Sequence, residues 1–236
     1  MKTQIDHLVV AAKTLEQGVA WCEATFGITP APGGEHEKYA THNRLFKIAT
    51  PGFPLAYLEI IAVNPEVVLT GKDLRPTRWF DLDEPALQAA VVACPCLVHF
   101  VVSTDQIQAA RHALKAQGID RGHAVHASRS TNKGLLQWQI TVRDDGQRLF
   151  DGALPTLIQW GKPGAADPLR LHPRNHLPRS GVSLQSIEIR HPSADKLTAA
   201  YAAIKLEGIS TEEGPANITA TFKTPKGLVV LESQGV

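Results

Sequence analysis

The chain has 236 residues, 43% of them hydrophobic and 20% charged, with 24 basic side chains against 23 acidic ones. That balance suits a folded, soluble chain with a sizeable core, and with no basic run it argues against nucleic acid as a partner. Strand patterning begins within five residues of Met1, no apolar stretch reaches bilayer length, and the three cysteines (Cys22, Cys94, Cys96) form no disulfide framework and read as buried free thiols. A cytoplasmic protein without a membrane partner is expected.

The first strand is "IDHLVVAA" (5–12), where Asp6 and His7 interrupt the strand formers Ile5, Leu8, Val9 and Val10. Thr14 and Gln17 then have capping-box spacing, and Leu15, Val19, Cys22 and Phe26 make one apolar helical stripe that stops at Gly27-Ile28. Two strands follow, "THNRLFKIAT" (41–50) and "LAYLEIIAV" (55–63). The second carries Glu59 as its only charge.

The pattern then recurs. After a connection with a short helix near 85–92, "CLVHFVVS" (96–103) holds His99 in an apolar run. Ser103 to Gln106 has the spacing of a second cap, and Ile107, Ala110, Arg111 and Leu114 lead to Gly118-Ile119. The strands "HAVHASR", "LLQWQITVR" and "LPTLIQWG" follow, and Gln159 holds the place of Glu59. A third copy begins at "SLQSIEIR" (183–190), runs through a helix ending at Gly208-Ile209, and closes with "ITATFKT" and "LVVLES". The Gly-Ile stops recur at about 90-residue intervals, the mark of an internal repeat.

The organisation expected is therefore α+β: a βαβββ module over 1–65, a connecting segment over 66–95, a second module over 96–162, a linker over 163–181 and a partial βαββ module over 182–236. The two full modules should form facing curved mixed sheets with helices outside. Taken singly, a strand histidine is a hydrogen-bonded core residue and a strand glutamate faces solvent. As a repeated set, His7, Glu59, His99 and Gln159 would converge if the modules pack with pseudo-two-fold symmetry, and such a donor set suits a divalent metal. A buried lone carboxylate also needs a partner, or its charge becomes too costly.

With these features the chain resembles the vicinal oxygen chelate superfamily, and "GGEHEKYATHNRL", "SRSTNKGLLQW" and "LPTLIQWG" resemble its glyoxalase-like domain family over residues 4–162. The resemblance implies His7, Glu59, His99 and Gln159 as ligands of Zn, Ni, Mn or Fe, with Glu59 also the catalytic carboxylate. In the third unit Ser186 falls in the histidine slot, and Glu232 reads as a surface residue. The activity implied is that of a metal-dependent lyase, isomerase or dioxygenase acting on a small substrate that chelates the metal through adjacent oxygens. One carboxylate against a dication favours an anionic substrate. Asn43, Arg129 and His36 are the candidate substrate-binding residues, and His42 is a weaker one. A homodimer is compatible with the sequence. The rival expectation is a non-catalytic binding or sequestering protein that uses the same cleft without metal.

Overall fold

The computed structural model describes residues 1–67, 78–162 and 164–236. Parts of the expected connecting segment (68–77) and linker (163) lie outside the described residues. The first module comprises β1 (Thr3–Ala11), α1 (Leu15–Phe26), β2 (Ala31–His36), β3 (Thr41–Lys47) and β4 (Tyr57–Val63). Helix α2 (Pro85–Ala93) precedes the second module, which comprises β5 (Cys96–Thr104), α3 (Ile107–Ala116), β6 (His123–Thr131), β7 (Gly134–Val142) and β8 (Thr156–Trp160). The third unit holds β9 (Ser183–Arg190), α4 (Ala194–Ala203), β10 (Ser210–Glu212), β11 (Asn217–Thr224) and β12 (Gly227–Glu232).

The two modules form one continuous sheet of eight strands in the order β2-β3-β4-β1-β5-β8-β7-β6. Each half repeats the same pairings: β1 lies parallel to β4 as β5 does to β8, and the outer strands are antiparallel. The antiparallel β1–β5 seam supplies the expected two-fold relation.

The seam contains two β-bulges, at Asp6 and at Val98, each left without a partner across the strands. A bulge inserts one residue and so restores a face that strict alternation would change. Ile5 and Leu8 consequently both reach the convex core, as do Leu97 and Phe100, while the pairs between them, Asp6–His7 and Val98–His99, turn to the concave face. A register shift in the third unit isolates Gln185 between Leu184 and Ser186, so the device occurs three times.

The convex core joins the sheet to all three module helices and to the third unit: Cys22 and Phe26 of α1, Leu114 of α3, Leu197 and Tyr201 of α4, and Phe222 of β11 share one cluster. Fully buried rings of this size contribute about 1.5–3 kcal/mol each. Gly18 lets α1 approach β4, since a Cβ there would lie 2.4 Å from Ile60 Cγ2. The third unit differs from the expected module. Its order is β10-β9-β11-β12, and β11 occupies the edge of β9 that corresponds to the seam edge of β1 and β5.

The caps also differ between modules. Thr14 accepts from Gln17 N at 3.1 Å, as the capping-box spacing predicts, while Gln17 Oε1 accepts from Lys13 N, one residue before the cap. Helix α3 has no side-chain cap from its own N-cap residue. Gln159 Oε1 accepts from Ile107 N at 2.9 Å instead. Gly27, Gly118 and Gly208 all take left-handed backbones, as the repeated stops require. Cys22 is buried as expected, but Cys94 is exposed and Cys96 half-buried.

Candidate active site

The concave face holds a small inner pocket of about 50 Å³ that shares walls with an outer cavity of about 450 Å³. His7, Glu59, Asn43 and Tyr57 line the inner pocket. His36, Trp79, Arg129, Trp138 and Ile140 line both. Every candidate substrate-binding residue except His42 thus lies on this cleft, and His42 falls on the opposite parity of β3 from Asn43.

Strand alternation places Glu59. Leu58 and Ile60 enter the convex core, so Tyr57, Glu59 and Ile61 face inward. Asn43 Nδ2 donates to Glu59 Oε1, while Asn43 Oδ1 accepts from Gly34 N at 2.7 Å. The other carboxylate oxygen of Glu59 lies 3.5 Å from His7 Nε2. His7 stacks on Tyr57 at 4.6 Å, and its Nδ1 lies 2.7 Å from Asp6 Oδ1. Asp6 Oδ2 accepts from Trp160 Nε1 at 2.7 Å and from His172 Nε2 at 3.0 Å. Burial works against the Asp6 charge, but His172 and His7 outweigh it and hold the carboxyl well below the usual range. Burial, reinforced by the Asp6 and Glu59 charges, pushes the Tyr57 phenol well above its ordinary value.

The structure does not gather the four-ligand set. His99 is fully buried on the concave face against Phe80, with Nδ1 2.8 Å from Gly152 O and Nε2 accepting from Thr156 N at 3.1 Å. Nδ1 must then carry the ring proton to reach the carbonyl, and neither nitrogen keeps a lone pair for a metal. Burial, with Arg121 and Arg148 nearby, drives the His99 imidazole well below its usual range. Gln159 is corrected for a second reason. Ile158 and Trp160 face the cleft, so Gln159 between them points to the convex side, where it caps α3. One residue of register changes the face. Of the proposed ligands, only His7 and Glu59 meet, and the described residues hold no cluster of three His, Cys, Asp or Glu suited to a metal. As arranged, the donors do not fit the expected ion.

Arg129 reaches the cleft from β6. Its Nη1 lies 1.4 Å from where a Cβ on Gly34 would sit, so only glycine leaves that slot open. No carboxylate pairs with Arg129 among the described residues. His36 packs edge-on to Trp79 at 4.8 Å, and burial pushes its imidazole down to about 4 despite Glu59 nearby. His36 is therefore a neutral wall group near neutral pH. Trp79 and Phe80 arrive on a turn in which Phe80 and Asp81 adopt φ of 60° and 55°, held by Arg148 Nε donating to Asp81 Oδ2 at 2.8 Å. Such backbones cost about 1–2 kcal/mol each for a non-glycine residue.

Sequence reasoning did not assign Asp6, His172, Trp79 or Phe80 to the site. Asp6 had a signal, two adjacent polar residues inside an apolar strand. His172 had none, because it comes from the segment expected to be a surface linker.

The profile of the family described as "Glyoxalase-like domain" matches residues 5–204. No curated protein matches the chain. Among solved structures, a hypothetical protein from Staphylococcus aureus aligns with a TM-score of 0.61 at 15% identity, covering 91% of this chain and 88% of that one. A methylmalonyl-CoA epimerase variant from Streptomyces coelicolor, in complex with 2-nitronate-propionyl-CoA, aligns with a TM-score of 0.39 at 16% identity, covering 67% of this chain and 98% of that one. The Mycobacterium tuberculosis methylmalonyl-CoA epimerase aligns at 0.36 and 14%, covering 66% and 85%. With its family profile spanning most of the sequence and its paired βαβββ halves on one curled sheet, the chain belongs to the glyoxalase-like domain family.

Proposed function

We propose that the protein is an enzyme that moves a proton on a small anionic carbonyl compound, with Glu59 and His7 as its acid–base pair. The observation that carries this reading is the 3.5 Å approach of His7 Nε2 to Glu59 Oε2 at the floor of the cleft. With Nδ1 donating to Asp6, a neutral His7 would turn a lone pair toward an ionised carboxylate, so the pair is suited to share one proton there. Asn43 fixes one oxygen of Glu59 and leaves the other to take a proton from substrate.

Removal of a proton from carbon next to a carbonyl sends the bonding electrons to the carbonyl oxygen, giving an enolate. Returning the proton elsewhere isomerises the substrate, and expelling a group from the next carbon eliminates it. Arg129 supplies the positive charge that would orient an anionic substrate. Trp79, Trp138 and Ile140 exclude water from its apolar part. The metal-dependent reading would require His99 to release Gly152 and Thr156, and Gln159 to cross to the other face of β8.

Deuterium exchange tests this. Small 2-oxo and 3-oxo carboxylates are incubated with the protein in D2O, and loss of the signal from protons beside the carbonyl is followed by NMR. Exchange with at least one of them should depend on the protein and fall by about 10²–10⁴-fold in Glu59→Gln, the range for losing one acid–base group. Absence of exchange with every probe, together with a carboxylate-induced rise in melting temperature, would favour the non-catalytic binder. Exchange that appears only with added divalent metal would favour the metal-dependent reading.

A further inference from the structure

Asp6 is fully buried and its carboxylate accepts from three elements: His7 on its own strand, Trp160 at the end of β8 and His172 in the segment that leads to the third unit. Backbone geometry does not require a carboxylate there. The equivalent bulge in β5 holds Val98, and the strand pairing around it is the same. What differs is the neighbouring imidazole. His99, beside a valine, bonds to backbone and threonine, whereas His7, beside Asp6, turns Nε2 to the cleft.

The proton positions follow from the donors. His172 Nδ1 accepts from Arg174 N at 3.2 Å, so Nε2 carries the proton and donates to Asp6. The indole of Trp160 can only donate. Asp6 Oδ2 is thereby held by two N–H groups, and Oδ1 is left to take the Nδ1 proton of His7. The His172 segment is itself fastened: Arg174 donates to Pro54 O, and Asn175 Nδ2 donates to Leu169 O at 2.7 Å.

We propose that Asp6 and His172 are positioning residues that set the tautomer of His7, keeping its proton on Nδ1 and presenting Nε2 to Glu59 and the cleft. This rests on the reading of His7 and Glu59 as the reacting pair. A carboxylate that holds an imidazole by one nitrogen fixes which nitrogen does the chemistry, and carboxylates orient histidines this way in other settings. His172 adds a role for the inter-module segment, which fills the second oxygen and prevents the carboxylate from turning.

The test needs no substrate. The 15N shifts of the ring nitrogens, measured on full-length protein labelled at histidine with resonances assigned through His7→Gln, report the tautomer of the neutral ring directly. Wild type should show His7 as the Nδ1–H form. In Asp6→Asn, the amide oxygen must face Trp160 and His172, both donors, so its NH2 faces His7 Nδ1 and the ring proton should move to Nε2. If Asp6→Asn does not fold, His172→Gln and His172→Leu replace it. The amide of Gln can still donate and should keep the Nδ1–H form, whereas Leu should give a mixture of tautomers. A wild-type His7 in the Nε2–H form, or the same tautomer in all variants, would overturn the proposal. Because this readout is independent of deuterium exchange, failure of the acid–base reading and failure of the positioning role are seen separately.

Discussion

Residues Ile5 to Leu8 of β1 and Leu97 to Phe100 of β5 are the same piece of structure twice: apolar, bulged residue, histidine, apolar, with the outer pair in the convex core. The bulged residue differs. In β1 it is Asp6, and its histidine borders a pocket facing a carboxylate. In β5 it is Val98, and its histidine is a core residue with both nitrogens spent on Gly152 and Thr156. One side chain beside the imidazole thus accompanies the difference between a group free for chemistry and a group used for folding. The backbone device is the same in both halves, while the bulged residue on the concave face differs.

The largest expected effect comes from making the first bulge like the second. Asp6→Val removes the acceptor of three buried donors, and with each unsatisfied group costing about 1–3 kcal/mol the protein should lose about 4 kcal/mol of stability in urea denaturation. A loss below about 1 kcal/mol would mean that Asp6 is not the hub its contacts indicate.

His99→Leu should cost less, about 2 kcal/mol, from the stranded Gly152 carbonyl and Thr156 amide. Added Zn should change the melting temperatures of wild type and variant equally. A Zn-dependent rise in wild type alone would return His99 to the metal-binding role.

The pH dependence separates the two halves further. His99 and His36 have folded-state pKa values held below the usual 6.5, chiefly by burial. The unfolded chain then binds more protons once pH falls through 6.5. Stability is full above that pH and declines below it, by up to about 1.4 kcal/mol per pH unit for each histidine. For His36 the decline ends near its folded value of about 4. Asp6, whose carboxyl is likewise depressed, adds a loss that begins as pH falls through the unfolded carboxyl value of 3.8. In the His99→Leu variant, urea midpoints between pH 6.5 and 4.5 should fall less steeply than in wild type. An unchanged slope would show that His99 is not the buried neutral ring described.

The smallest effect on stability belongs to Gly34→Ala. The new methyl would meet the far end of Arg129, a flexible side chain that can swing aside, so stability should stay within about 0.5 kcal/mol. Displacing the guanidinium should weaken any carboxylate-induced rise in melting temperature. A full response in the variant would remove Arg129 from ligand recognition.

Much of the architecture was legible because repeated stops and caps are local signals. Gly27, Gly118 and Gly208 mark helix ends through a backbone conformation that glycine adopts without strain, and Glu59 stood out as one charge in an apolar strand. The positions of His99 and Gln159 were not legible to the same depth. His99 lies on the predicted face, but its rotamer depends on Gly152 and Thr156, which are more than 50 residues away. Gln159 was matched to Glu59 by its place in a sequence pattern, but Thr156 pairs with Val101 as Glu59 pairs with Val9, and the odd offset of three residues from Thr156 sends the Gln159 side chain to the other side. His172 was invisible because a long-range hydrogen bond from an irregular segment leaves no periodic trace.

The contact between Gly34 and Arg129 joins the two ends of the eight-strand order, since β2 and β6 are its outermost members. The curl is thus a barrel that fails to close by roughly one guanidinium. Pro32 in β2 cannot donate to an added strand, so that rim resists pairing with another chain. A solute that enters between these rims would pass beside the Arg129 guanidinium before it reaches the floor. Glu35, Glu37 and Lys38 share that threshold with Arg129, so an entering solute meets charges of both signs before any chemistry can begin.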